Sequence, residues 1–203
     1  MVHIDVLTEE SSAKEFLHII LPRILEDTDT YNIYSYQGKQ DLLKKLPYRL
    51  RAYHNPPLNT HKVIILIDRD AENCVNLKTQ LEDIVHEAGL TSKTENPENF
   101  QAATRIVIEE LESWYFGDTQ ALHEAYSEIP KNLKEKKGYE KPDEIIKPSN
   151  KLLRLLKTEY EHMTHLPKIE AAKRIAPYMS PEINTSESFQ KFYEAVKACQ
   201  KSE

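Results

Sequence analysis

Glycine is scarce in this chain: only four occur among 203 residues, at positions 38, 89, 117 and 138. They are too far apart to form a glycine-rich phosphate cradle. Neither the dinucleotide fingerprint nor the P-loop can be written with them. Cysteine is scarcer still. Cys74 and Cys199 are too distant in sequence to make a zinc site by themselves, and they read as ordinary buried thiols of a reducing compartment. No apolar run approaches ~18 residues, so no membrane span is expected. The start, Met1-Val2-His3-Ile4-Asp5, has no basic stretch leading into an apolar one. No secretion signal is therefore expected, and the cytoplasm is the expected location.

What is present suits a globular α/β protein. The chain is 39% hydrophobic and 30% charged, with a net charge of −6. Its length suits one domain, with an appendage at most. The charge is uneven. Residues 1–129 carry 12 basic and 22 acidic side chains, a net of −10, and residues 130–203 carry 15 and 11, a net of +4. The expected division is a core over 1–129 and a basic loop with a helical extension over 130–203, packed on that core. An acidic balance argues against a general charge-driven nucleic-acid coat. That argument weakens if six of the acids line one site, because the remaining charges then balance.

Along the chain, Ile4–Thr8 reads as a short apolar strand. Ser12 and Glu15 have capping-box spacing ahead of a helix that Pro22 kinks or ends near Leu25. Tyr31–Ser35 alternates with period two. A helix follows from about Gln40 to Tyr53, with Pro47 interrupting its pattern. Val63–Ile67 is apolar at every position, as expected of a strand covered by helices on both faces. The spacing of Leu77, Leu81, Ile84, Val85 and Ala88 predicts a helix ending at Gly89. Arg105–Ile108 reads as a strand, and Asp118 as the cap of a helix through Leu122 and Ala125. Pro130–Pro148, with six lysines, reads as a long loop. Helices are expected over Asn150–Tyr160, Lys168–Met179 and Ser186–Cys199. Alternating strands and helices predict a mainly parallel sheet between helices, with a C-terminal helical extension.

Three acidic clusters follow three of these strands: Glu9-Glu10, Asp68-Arg69-Asp70, and Glu110 with Glu112. In open α/β sheets, ligand sites gather at the carboxyl ends of strands. Two carboxylates ~5 Å apart repel by about 3 kcal/mol at an effective dielectric of ~20. Convergence therefore calls for a shared proton or a hard divalent cation, Mg²⁺ or Mn²⁺. Glu110 and Glu112 share a side in a strand and diverge in a helix, where only one could serve. As isolated features the acids could be solvated caps, Asp70 capping the helix over 73–88.

Other motifs carry less. Asp68-Arg69-Asp70 lacks the residues that follow the second aspartate in haloacid-dehalogenase phosphatases. His162-x-x-His165 has no third ligand and reads as surface histidines. Trp114-Tyr115-Phe116 reads as core. Lysines 131, 134, 136, 137 and 141 either touch phosphate or solvate a loop.

The stretches VLTEESSAKEFLHIILPRIL, YQGKQDLLKKLPYRLRAY, ILIDRDAENC, RIVIEELESWYFGDTQAL and KRIAPYM run in order over nearly the full length. Together they resemble the bacterial domain-of-unknown-function family 4276, a group with RloG-type members. Strand, Glu, helix, then strand and Asp-x-Asp resembles the Toprim fold of topoisomerases, primases and the overcoming-lysogenization-defect nucleases. The resemblance implies a Toprim-like, Rossmann-like α/β sheet, with Glu9 as the Toprim glutamate and Asp68 and Asp70 as the aspartate pair. It implies Mg²⁺ or Mn²⁺ held by Glu9, Asp68 and Asp70, and a nuclease acting in defence or as a toxin beside a separate ATPase; Glu110, at the next strand end, is expected to complete the metal site. Glu10 departs from the glycine many Toprim proteins carry there, and these 203 residues include no ATPase domain. Glu112, Lys39, Lys173 and Arg174 are further candidates, the cations facing phosphate. Two other readings stand beside this one: a non-catalytic subunit binding an ATPase or nucleic acid, and a hydrolase of small phosphorylated molecules. The oligomeric state is left open.

Overall fold

The structure is a computed structural model describing residues 1–53 and 60–201. Four parallel strands form one sheet in the order β2-β1-β3-β4: β1 His3–Thr8, β2 Thr30–Ser35, β3 His61–Asp68 and β4 Ala102–Val107. Helix α1 (Ser11–Ile20) follows β1, α2 (Lys39–Arg51) follows β2, and α3 (Cys74–Glu87) follows β3. After β4 come the short α4 (Glu112–Phe116) and α5 (Thr119–Ala125), then α6 (Pro148–Leu155), α7 (Lys168–Ile175) and α8 (Glu187–Gln200). No helix of the described residues is long and apolar enough to cross a membrane.

The central strands are apolar on both sides because helices cover both faces. On one face Ile4, Val6, Ile64 and Leu66 join α1, Trp114 of α4, and Phe189 and Phe192 of α8 in one apolar cluster. On the other face Leu7, Val63, Ile65 and Ile67 meet Leu42, Leu46 and Leu50 of α2 and Leu77, Leu81 and Val85 of α3. Each strand alternates between these two cores, as the period of two requires.

Several boundaries differ from the sequence reading. Ser12 does not cap α1. It lies inside the helix, and its hydroxyl donates to Glu10 Oε1 at 2.6 Å. Helix α1 gives way to a 3₁₀ turn over Leu21–Arg23, with Pro22 inside that turn. Pro47 sits within α2 without ending it. Strand β4 starts three residues earlier than expected. Ala102 and Ala103 have weak strand propensity, but both are fully buried between the helical layers. The lysine-rich stretch after Pro130 contains two 3₁₀ turns, and its Leu133 and Ile145 anchor in the larger core. Asn73 caps α3 by accepting from the Val75 and Asn76 amides, so Asp70 is not the cap. Asp118 does cap α5, accepting from the Ala121 amide.

Gly117 shows why a glycine is needed where the backbone is ordinary helix. An added Cβ would meet Asn184 Oδ1 at 2.0 Å and the Ser186 amide nitrogen at 2.9 Å. Asn184 is itself fixed, donating to the Trp114 carbonyl at 2.8 Å and accepting from the Ser186 amide. Gly117→Ala is therefore expected to cost about 1–3 kcal/mol, the usual range for overpacking. Urea denaturation measures this, and an unchanged midpoint would show that the loop at Asn184 yields freely.

Candidate functional site

The strand order changes direction between β1 and β3. From β1 the chain adds β2 on one side, then crosses to add β3 on the other. The crevice beyond the carboxyl ends of strands at such a point is where open α/β sheets bind ligands. Register puts Thr8 opposite Leu66, so Glu9 leaves β1 beside the end of β3. There Glu9 Oε1 accepts from the Asp68 amide at 3.1 Å. Asp68 Oδ2 in turn accepts from the Leu111 amide at 3.3 Å, just before α4. The first residue of α4, Glu112, is fully buried, and neither of its carboxylate oxygens has a hydrogen-bond partner. The fully buried Tyr115 hydroxyl is also unpartnered.

These groups perturb one another. Burial pushes the Glu9 carboxyl up to about 7, with Asp70 and Glu10 adding to it, against the Asp68 amide and the Lys39 charge. Burial raises Asp68 well above its ordinary value, reinforced by Glu9 and Glu112. Burial also lifts Glu112 to about 7, opposed by Lys168. The Tyr115 hydroxyl is raised well above its usual range, by burial first and then by Glu112, Glu10 and Asp68. Clustered carboxylates whose charged forms are disfavoured in a crevice mark a functional-site candidate.

One cation reaches this cluster from α7. Lys168 Nζ lies 3.3 Å from Glu10 Oε1 and 3.7 Å from Glu112 Oε2. Burial opposes its charge, but Glu112, Glu10, Glu110 and Asp68 outweigh that, and its pKa rises. In the sequence Lys168 marks only the start of a helix. A lysine in the first helical turn opposes the helix dipole. That mismatch is the one local sign that distant acids hold it there.

The remaining candidates are dispersed. Asp70 takes a left-handed backbone (φ 52°), and its carboxylate pairs with Lys39 at 2.7 Å. Lys39 also reaches Glu72 at 2.9 Å, so its ammonium neutralises a local acidic pair. Glu110 accepts from the Ser149 amide at 3.0 Å, at the start of α6. Of the two acids after β4, Glu112 is the one beside Asp68. The adjacent Glu109, also left-handed (φ 64°), pairs with Arg69. Its carbonyl accepts from the Asp70 amide at 2.9 Å, which straps the two carboxyl-end loops together. Lys173 pairs with Glu15, and Arg174 with Glu159 and the Ala125 carbonyl. Both basic residues line a cleft of about 810 Å³, together with Glu10, Ser12 and Lys168. His162 and His165 are exposed.

The acids at this edge converge without closing. Among the described residues, the only three metal-type side chains whose ligand atoms all lie within 4.8 Å of one another are His3, Asp5 and His61, at the opposite edge of the sheet. Backbone amides hold Glu9 and Asp68, and Lys39 holds Asp70. Each contact relieves repulsion that would otherwise oppose the cluster. The orphaned oxygens of Glu112 and the buried carboxylates of Glu9 and Asp68 are hard donors, of the type that Mg²⁺ and Mn²⁺ prefer.

The fold and this edge define an α/β protein with an acidic crevice at the switch point of its sheet. The chain belongs to the family described as Domain of unknown function (DUF4276), whose match spans residues 8–197. Comparison with curated proteins and with solved structures returned no match.

Proposed function

We propose that this protein is a Mg²⁺- or Mn²⁺-dependent phosphodiesterase of Toprim type that cleaves nucleic acid. The carrying observation is the set Glu9, Asp68 and Glu112, three buried carboxylates on the switch-point side of the sheet, one with both oxygens lacking a hydrogen bond. Asp68 and Glu112 are the residues that would hold the cation. Bound there, a divalent ion supplies Lewis-acid activation of a phosphodiester and of water. Glu9 uses one oxygen on the Asp68 amide, which aims its carboxyl along the crevice. Its pKa of about 7 matches a group that takes a proton from an attacking water and returns it. Lys168, Lys173 and Arg174 line the adjoining cleft, where their charges favour a phosphate backbone.

The test pairs calorimetry with cleavage of labelled DNA and RNA. Asp68→Asn is expected to abolish Mn²⁺ binding and cleavage together. Glu9→Gln is expected to keep Mn²⁺ binding while cleavage falls by about 100-fold or more. If the wild type binds no Mn²⁺ at millimolar concentration, the acids are structural and the protein is a non-catalytic subunit.

A further inference from the structure

At the amino ends of the same strands lies a second polar cluster that the acidic crevice does not use. We propose that His3, Asp5 and His61 form a site for a first-row transition-metal dication of the zinc class, distinct from the acidic crevice. Register builds it. His3 pairs with His61 across β1 and β3, and Asp5 follows His3 on the same face by the period of two. Asp5 is buried, while the histidine side chains are 29% and 30% exposed, so an ion has a route in. His3 Nε2 lies 3.0 Å from Asp5 Oδ1, and His61 Nε2 lies 3.2 Å from Asp5 Oδ2. All three ligand atoms fall within 4.8 Å of one another. Metal–ligand bonds of ~2.0–2.2 Å place neighbouring ligand atoms roughly 3–4 Å apart, close to this spacing.

Hydrogen bonds hold the cluster in place, and an ion would exchange some of them for metal–ligand bonds. The Asn32 amide nitrogen sits 2.9 Å from His3 Nε2 and 3.2 Å from Asp5 Oδ1. In the tautomer with Nε2 unprotonated, that amide donates to the Nε2 lone pair, so an ion bound at Nε2 takes the amide's place. In that tautomer Nε2 and Asp5 Oδ1, 3.0 Å apart, can both give an electron pair to one cation. On the far side of the ring, His3 Nδ1 meets Thr30 Oγ1 at 2.7 Å. The Tyr53 hydroxyl donates to Asp5 Oδ2 at 2.5 Å. These are the outer partners that orient metal-binding imidazoles and carboxylates. Two imidazole nitrogens and one carboxylate select zinc-class ions over Mg²⁺. Arg49 competes for the site: its guanidinium lies 3.6 Å from Asp5 Oδ2. It also stacks over Tyr34 at 4.1 Å from the ring centroid, a contact that remains when a metal takes Asp5.

The experiment uses tag-free full-length protein and Co²⁺, read by equilibrium dialysis and visible absorption. One equivalent of Co²⁺ is expected, with ligand-field bands and displacement by Zn²⁺. His3→Gln and His61→Gln are expected to weaken binding by about 100-fold or more, and Asp5→Asn by a similar factor. Arg49→Gln, which removes the competing cation, is expected to tighten it. Asp68→Asn is expected to leave the bands unchanged, which separates this site from the acidic crevice. Circular dichroism confirms that each variant is folded. Absence of stoichiometric Co²⁺ in the wild type would overturn the proposal. So would binding that survives both histidine substitutions or disappears in Asp68→Asn.

Discussion

Glu112→Gln is expected to make the protein more stable at pH 8, by about 2 kcal/mol, while removing Mn²⁺ binding at the crevice. The gain follows from linkage. In the folded chain the Glu112 carboxyl titrates at about 7 because it is buried, whereas its ordinary value is 4.5. For an acid raised on folding, the native state holds the proton through that window and the unfolded state has already lost it. Stability therefore falls as pH rises from about 4.5 to about 7, and the full penalty applies above 7. That penalty is about 3 kcal/mol for this shift. A neutral amide escapes it; the attraction to Lys168, 3.7 Å away, is already part of the raised value, and burying the amide's unpaired N–H groups returns about 1 kcal/mol. Thermal unfolding of both proteins between pH 4 and 8 provides the measurement. The wild type should lose stability across the window more steeply than the variant. Parallel curves would mean that Glu112 is solvated in the native state. A buried carboxylate without a hydrogen bond, kept at a stability cost, is what a binding site requires.

Lys168→Met is expected to have the opposite effect. It leaves Glu112 and Glu10 without the cation that faces both. Breaking a fully buried pair costs about 3–5 kcal/mol. Lys168 is partly exposed, so the expected loss at pH 8 is about 2–3 kcal/mol. At pH 5 Glu112 is protonated and the loss should shrink. In the Glu112→Gln background the same change should cost less than about 1 kcal/mol at pH 8, because its main partner is gone. A double-mutant cycle with guanidinium denaturation at both pH values measures this coupling. Additive effects at pH 8 would show that the two charges do not interact.

The most legible parts of the chain are those whose signal is local. β3 is apolar at every position from Val63 to Ile67 because both faces are covered, and it stands out in the sequence. Asp118 caps α5 as its side chain predicts, and Trp114-Tyr115-Phe116 is core. β4 was harder, since Ala102 and Ala103 qualify as strand only through the burial that surrounds them. Leu133 and Ile145 sit among lysines in sequence and reach the core through turns that no periodicity announces. In the crevice, the position of Glu9 and Asp68 follows from strand ends and parallel pairing. The choice between Glu110 and Glu112 depends on how the chain turns into α4, and the pairing of Asp70 with Lys39 depends on a left-handed residue.

By itself the sequence determined an α/β chain without a glycine-rich phosphate loop, and it marked the acidic residues that end its strands. Only the tertiary structure decided which acids share the crevice. Hydrogen bonds to the Asp68 and Leu111 amides hold Glu9 and Asp68 there. Lys39 takes Asp70, and the start of α6 takes Glu110. It also brought Lys168 to Glu10 and Glu112 from more than fifty residues away, and set His61 beside His3 and Asp5. The physical reason is range. Burial periodicity and capping act within a few residues and are written along the chain. Electrostatic and ligand geometry depends on atoms a few ångströms apart in space, wherever they lie in sequence.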